Sequence, residues 1–136
     1  MNITTIQKQS RVPVTILELA GKLDGSNHKQ LTDEATKLYL NGRRDLLIDL
    51  SELTFLSSAG LAAIHQTALI FCGQPIPEEE SGWASYHAID RDRDGGAQIH
   101  VKLLSPQPAV ADILEMASFD SLFEIHTNLE AALASF

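Results

Sequence analysis

The sequence predicts an α/β fold, and three observations carry that expectation. Short runs rich in Val, Ile and Leu alternate along the chain with segments whose apolar residues recur at helical spacing. Leu46, Leu47 and Ile48 run unbroken into Asp49-Leu50, as suits a strand covered on both faces and therefore central in a sheet. With 136 residues and 44% hydrophobic content, the chain fits one domain spanning residues 1–136 and holds enough apolar mass for a real core.

Taken in order, residues 3–9 alternate weakly and suit an edge strand. Val12 to Leu19, with Pro13 near its start, reads as a strand that stops at Ala20-Gly21. A turn, Gly21-Lys22-Leu23-Asp24-Gly25, follows. Ser26 or Asn27 caps the next helix, in which Leu31, Ala35 and Leu38 form the apolar line. Asn41-Gly42 closes it, and Arg43-Arg44 lie where the negative end of a helix dipole favours cations. After the central strand Ser51-Glu52 is expected to leave the sheet, with Leu53, Phe55 and Leu56 returning apolar weight. Ser57-Ser58-Ala59-Gly60 then opens a helix whose stripe is Leu61, Ile64, Ala68 and Phe71, ending at Gly73.

From Gln74 to about Ala97 the texture changes to two prolines, Glu78-Glu79-Glu80, Trp83, and Asp90-Arg91-Asp92-Arg93-Asp94-Gly95-Gly96. So long and polar a run inside a domain reads as an inserted loop. Ile99, Val101 and Leu103 alternate as a strand that Ser105-Pro106 ends. Val110, Ile113, Leu114 and Ala117 mark a helix, Leu122 to Ile125 a short strand, and Asn128 to Phe136 a terminal helix on Leu129, Leu133 and Phe136.

Composition narrows the function. Ten Lys plus Arg stand against 18 Asp plus Glu, a net charge of -8, and the basic residues form no stripe. The phosphate-driven part of nucleic-acid binding is therefore missing. One cysteine, Cys72, excludes an internal disulfide and a cysteine zinc cluster, and reads as a small apolar residue at a helix end. No stretch approaches the roughly 18 apolar residues of a membrane helix, and no leader pattern opens the chain, so direct membrane insertion is not expected and the expected location is cytoplasmic. Enzyme patterns are lacking. There is no phosphate loop and no nucleophile elbow, and His28, His65, His87, His100 and His126 are scattered without ligand spacing. No cofactor is implied.

The joint between the central strand and the following helix carries the chemistry. There the free amide groups of a helix's first turn, and the positive end of its dipole, are surrounded by small side chains. Ser57 and Ser58 suit a helix cap, Asp24 suits a turn, and Asp49 suits a strand end where it accepts backbone hydrogen bonds.

Gly21-Lys22-Leu23-Asp24, the helix to Gly42, Asp49-Leu50-Ser51, Leu53-Thr54-Phe55-Leu56-Ser57-Ser58-Ala59-Gly60-Leu61 and Ser105-Pro106 with its helix together resemble the STAS domain of bacterial anti-sigma-factor antagonists and sulphate-transporter tails. Outside the segment at about 74–97 the resemblance spans nearly the whole chain. It implies a small mixed β-sheet packed by helices, no catalysis, and control of transcription through protein binding. The implied partner is a serine-kinase anti-sigma factor with a GHKL-type ATPase, whose sequestration frees a sigma factor; a phosphatase is a further partner. Carried over residue by residue, the phosphorylated serine is Ser58, with Ser57 the rival acceptor, and the partner-binding set is Asp24, Ser57, Ser58, Ala59, Gly60 and Leu61. The family's usual Asp-Ser-Ser/Thr-Gly departs here to Ser57-Ser58-Ala59-Gly60. Two alternatives stand beside this reading: a STAS scaffold or transporter-associated subunit that binds constitutively, and a small-ligand sensor. Asp90-x-Asp92-x-Asp94-Gly95 matches the first half of a calcium loop, but Val101 stands where the bidentate Glu belongs, so a solvated charged loop is expected and no metal. Trp83 and Tyr86 are read either as partner anchors or as covers of the core.

Overall fold

The computed structural model describes residues 1–73 and 98–136. The segment expected to be an insertion, with Trp83, Tyr86, Asp90, Asp92 and Asp94, lies outside them. One five-stranded sheet is ordered β1-β2-β3-β4-β5, with β1 (Asn2–Gln9) antiparallel to β2 (Pro13–Leu23), and β3 (Leu46–Leu56), β4 (Gln98–Leu104) and β5 (Phe123–His126) each parallel to the strand before. The sheet is mixed, as expected, and β3 is its middle strand.

A parallel neighbour requires a crossover. The first is α1 (His28–Leu40), which buries Leu31, Thr32, Ala35 and Leu38. It closes at Asn41-Gly42, where the amides of Gly42 and Arg43 donate to the carbonyls of Tyr39 and Leu38, the crossed pair of bonds that ends many helices. Arg44 donates to the Tyr39 carbonyl and lies 4.0 Å over the Tyr39 ring, so it does serve the helix end. The second helix is α2 (Ser58–Phe71), followed after β4 by α3 (Pro108–Met116) and α4 (Phe119–Leu122). All four helices contribute to one core with Leu17, Leu19, Leu46, Ile48, Leu50, Val101 and Leu103 of the strands. Leu47, Val14, Ile16 and Leu104 project to the other face, where the final helix α5 (Leu129–Ala134) covers them with Ala132 and Leu133. That two-sided cover is why β3 needs apolar residues at consecutive positions.

Several boundaries differ from expectation. β2 continues through Gly21 to Leu23, and β3 continues through Ser51-Glu52 to Leu56, because the pair absorbs register shifts between Glu18 and Ala20 and between Gly21 and Lys22 rather than separating. Gly21, at φ +103°, supplies the backbone conformation that the irregularity needs. Asn27 occupies the start of α1 but does not cap it; its amide bridges instead, accepting from the Asp24 amide and donating to the Lys22 carbonyl. α2 is buried well beyond the expected stripe, with Ala63, His65, Gln66, Thr67, Leu69 and Ile70 also enclosed. A one-turn helix, α4, precedes β5, so the last strand begins at Phe123 rather than Leu122. In α5 Leu129 is exposed and the covering face is Ala132-Leu133, with Phe136 packed alongside.

Lys102 is 3% exposed, a burial that its charge permits only with partners. It donates to the Ser135 carbonyl and hydroxyl at 2.9 and 3.1 Å, meets Glu124 at 3.2 Å and lies 4.9 Å over the Phe136 ring. This lysine fastens the far side of α5 to the sheet.

Candidate functional site

The site forms where β2 and β3 end side by side and α2 begins. Leu23 pairs with Leu56, and one residue later the Ser57 amide donates to the Leu23 carbonyl at 3.0 Å. The chain therefore turns into α2 while still held to the end of β2. Ser57 is extended (φ -93°, ψ 176°), and its hydroxyl oxygen accepts from the Gly60 amide at 3.2 Å while its carbonyl accepts from Leu61 at 2.9 Å. It is the true N-cap, as its residue type predicts. Truncating it to alanine is expected to cost about 1 kcal/mol of stability, measured by chemical denaturation, because the Gly60 amide loses its acceptor.

Gly60 is where close packing decides the sequence. A Cβ there would lie 2.7 Å from Leu56 Cδ1, 2.8 Å from the Leu23 carbonyl oxygen and 3.0 Å from Leu23 Cγ. The first turn of α2 thus lies directly on the end of β2, and only a residue without a side chain permits it.

Ser58, the first residue of α2, is exposed, and Ala59 beside it is half-buried. The two candidate acceptors are therefore unequal: the Ser57 hydroxyl is engaged in the cap, whereas Ser58 faces solvent at the positive end of the helix dipole. Of the six residues expected to meet a partner, Asp24, Ser57, Ser58 and Ala59 reach the surface in whole or in part. Gly60 is buried against Leu23, and Leu61 is 6% exposed within the core. Those two support the tip from beneath.

The turn after β2 reaches the helix start, since a Cβ on Gly25 would lie 4.0 Å from that of Ala59. Asp24 shapes this turn by accepting from the Ser26 hydroxyl at 2.6 Å and the Ser26 amide at 2.9 Å. Those two bonds, the hydroxyl first, hold its carboxyl below the ordinary value of 3.8. A group depressed in the folded state stabilises that state above its unfolded pKa, and the contribution is lost as pH falls through the folded value. A Ser26→Ala protein is expected to show Asp24 titrating closer to the ordinary carboxylate range, read by NMR of the side-chain carboxyl. Asp49 accepts from the Ser51 amide at 3.0 Å, the backbone role expected of it.

Among the described residues no group of three or more His, Cys, Asp and Glu is placed to hold a metal ion, and no helix is long and apolar enough to cross a membrane. Cys72 caps the C-terminus of α2 and is exposed.

The fold and this tip define an α/β domain that presents a hydroxyl on a helix start braced by two strand ends. The chain matches, over residues 6–71 from β1 to the end of α2, the family model described as Mlab, STAS domain. Its fold is shared with an anti-sigma factor antagonist from Mycobacterium paratuberculosis (TM-score 0.61, 19% identity, 98% of this chain and 93% of that one). It is shared too with a putative anti-sigma factor antagonist from Thermotoga maritima (TM-score 0.63, 19% identity, 94% and 90%). The Bacillus cell fate determinant SpoIIAA in its phosphorylated form gives a TM-score of 0.50 at 14% identity, over 95% and 96% of the two chains. No curated protein matches this chain significantly.

Proposed function

We propose that this protein is an anti-sigma-factor antagonist, a non-catalytic binding domain whose tip docks on a serine-kinase anti-sigma factor and is released when Ser58 is phosphorylated. The observation that carries the reading is the division of labour between the two serines: Ser57 is committed to the helix cap, and Ser58 stands exposed one residue later. A phosphate on Ser58 adds roughly -1.5 to -2 charges at a helix N-terminus, which favours an anion by about 0.3 to 1 kcal/mol, so the fold accommodates it. A relative with the same fold, SpoIIAA, exists in unphosphorylated and phosphorylated forms. The docked complex does not accommodate it, because a partner laid over the tip has to strip water from that charge.

A second reading is favoured by one feature of the same tip. Ser57 and Ala59 replace the carboxylate and second hydroxyl usual in the family, which suits a STAS subunit that binds its partner constitutively and is never modified. The chain should be purified from its own cells with whatever ATPase accompanies it, supplied with ATP, and analysed by peptide mass mapping. The switch predicts a phosphate on Ser58 and loss of the complex. A stable complex with Ser58 unmodified after ATP turnover overturns the switch and leaves the constitutive reading.

A further inference from the structure

One rung of the β2–β3 pair deeper in the sheet contrasts with three rungs nearer the tip. Paired residues of parallel strands project to the same face, and alternate residues of one strand return to it. Ile16 and Leu47 are one such pair, and with Val14 and Leu104 they are covered by Ala132 and Leu133 of α5. Towards the tip the same face continues as Glu18 beside Asp49, Ala20 beside Glu52, and Lys22 beside Phe55. None of these six is buried, and Glu52, Lys22 and Phe55 are exposed. Phe55 keeps 45% of its surface in water and is the only exposed aromatic side chain among the described residues. The sheet face thus passes from an apolar half that a helix covers to an open half with three carboxylates, one lysine and a phenylalanine.

We infer that this open half-face is a second docking surface for the partner that reaches Ser58, and that it receives a basic protein surface with an apolar slot for Phe55. The inference rests on the binding role proposed above, and three points support it. The face reaches the end of the sheet at which the tip forms, since Phe55 precedes Ser57 by two residues and Ser58 by three. Charge selects the occupant: three carboxylates against one lysine, on a chain of net charge -8, repel a second copy of this chain and an anionic surface alike and attract a cationic one. An exposed aromatic inside a charged rim is the arrangement that gives interfaces a dominant anchor. Contact on two adjoining surfaces also keeps the partner oriented so that Ser58, and not a neighbouring hydroxyl, is presented to it.

The test measures affinity by calorimetry between the full-length chain and the ATPase that copurifies with it, after that ATPase has been purified. Phe55→Ser is expected to weaken binding on the order of 30-fold while leaving the melting temperature of the free chain unchanged, because the ring is not part of the core. Glu18→Gln combined with Glu52→Gln is expected to weaken binding and flatten its salt dependence. Ser58→Asp is run in parallel. If Ser58→Asp releases the partner while Phe55→Ser and the glutamine pair bind as the parent does, the half-face is not a docking surface and the proposed function stands. If the face variants weaken binding and Ser58→Asp does not, the docking surface stands and the switch falls. If none of the variants alters binding, both fail.

Discussion

A Ser58→Asp protein is expected to bind the anti-sigma factor proposed as its partner at least about 100-fold more weakly than the parent, and a Ser58→Ala protein as well as the parent. The argument is one of burial. Ser58 lies in the open at the first position of α2, so in the free chain a carboxylate there stays hydrated and gains slightly from the helix dipole, by about 0.3 to 1 kcal/mol. Docking removes the water, and an unpaired charge so enclosed costs several kcal/mol, of which about 2.7 suffices for two decades in affinity. The signature is therefore a split between two measurements. Thermal unfolding of Ser58→Asp should be unchanged or slightly raised, while calorimetric affinity collapses. Equal affinity of the aspartate and alanine proteins would remove charge from the mechanism.

Gly60→Ala is expected to destabilise the fold by about 2 kcal/mol, which for a chain of this size lowers the melting temperature by roughly 5 to 10 °C. Alanine in a helix normally stabilises relative to glycine by roughly 0.5 to 1 kcal/mol, so the predicted sign is reversed. The reversal follows from what the new methyl group would meet. Leu56 Cδ1 at 2.7 Å belongs to a flexible side chain and can shift, but the Leu23 carbonyl oxygen at 2.8 Å is backbone and already accepts from Ser57. Relief requires lifting the first turn of α2 from the end of β2, which also moves Ser58. Differential scanning calorimetry reads the stability, and a variant as stable as the parent would mean that the helix start is not held against that carbonyl.

The sheet's outline and the tip were legible because their signals are local. The apolar run at Leu46-Leu47-Ile48, the Leu31-Ala35-Leu38 line and the serines opening α2 each follow from covalent geometry and solvent exclusion within a few residues. The errors arose where a distant strand decides. Gly21 and Ser51-Glu52 read as breaks, but an adjacent strand lets β2 and β3 continue past them by absorbing register shifts. Phe55 reads as apolar weight beside Leu53 and Leu56, but unlike them it is exposed, because its rung of the sheet lies beyond the helix that covers that face. Lys102 gave no sign of burial, since its shelter is made by Ser135, Glu124 and Phe136 far along the chain. Gly60 is part of a motif in the sequence, but the carbonyl that demands it belongs to a different strand. Motif position does not distinguish a side chain at the surface from one beneath it, and Leu61 is 6% exposed.

The spatial order of the strands, β1-β2-β3-β4-β5, is also their order along the chain. Each strand therefore docks beside the one made just before it, and the sheet can grow from one edge as the polypeptide leaves the ribosome. Everything that shapes the serine tip, from the end of β2 to the first turn of α2, has been synthesised by Phe71. The serine tip thus precedes β4, β5 and the three described helices α3, α4 and α5 along the chain.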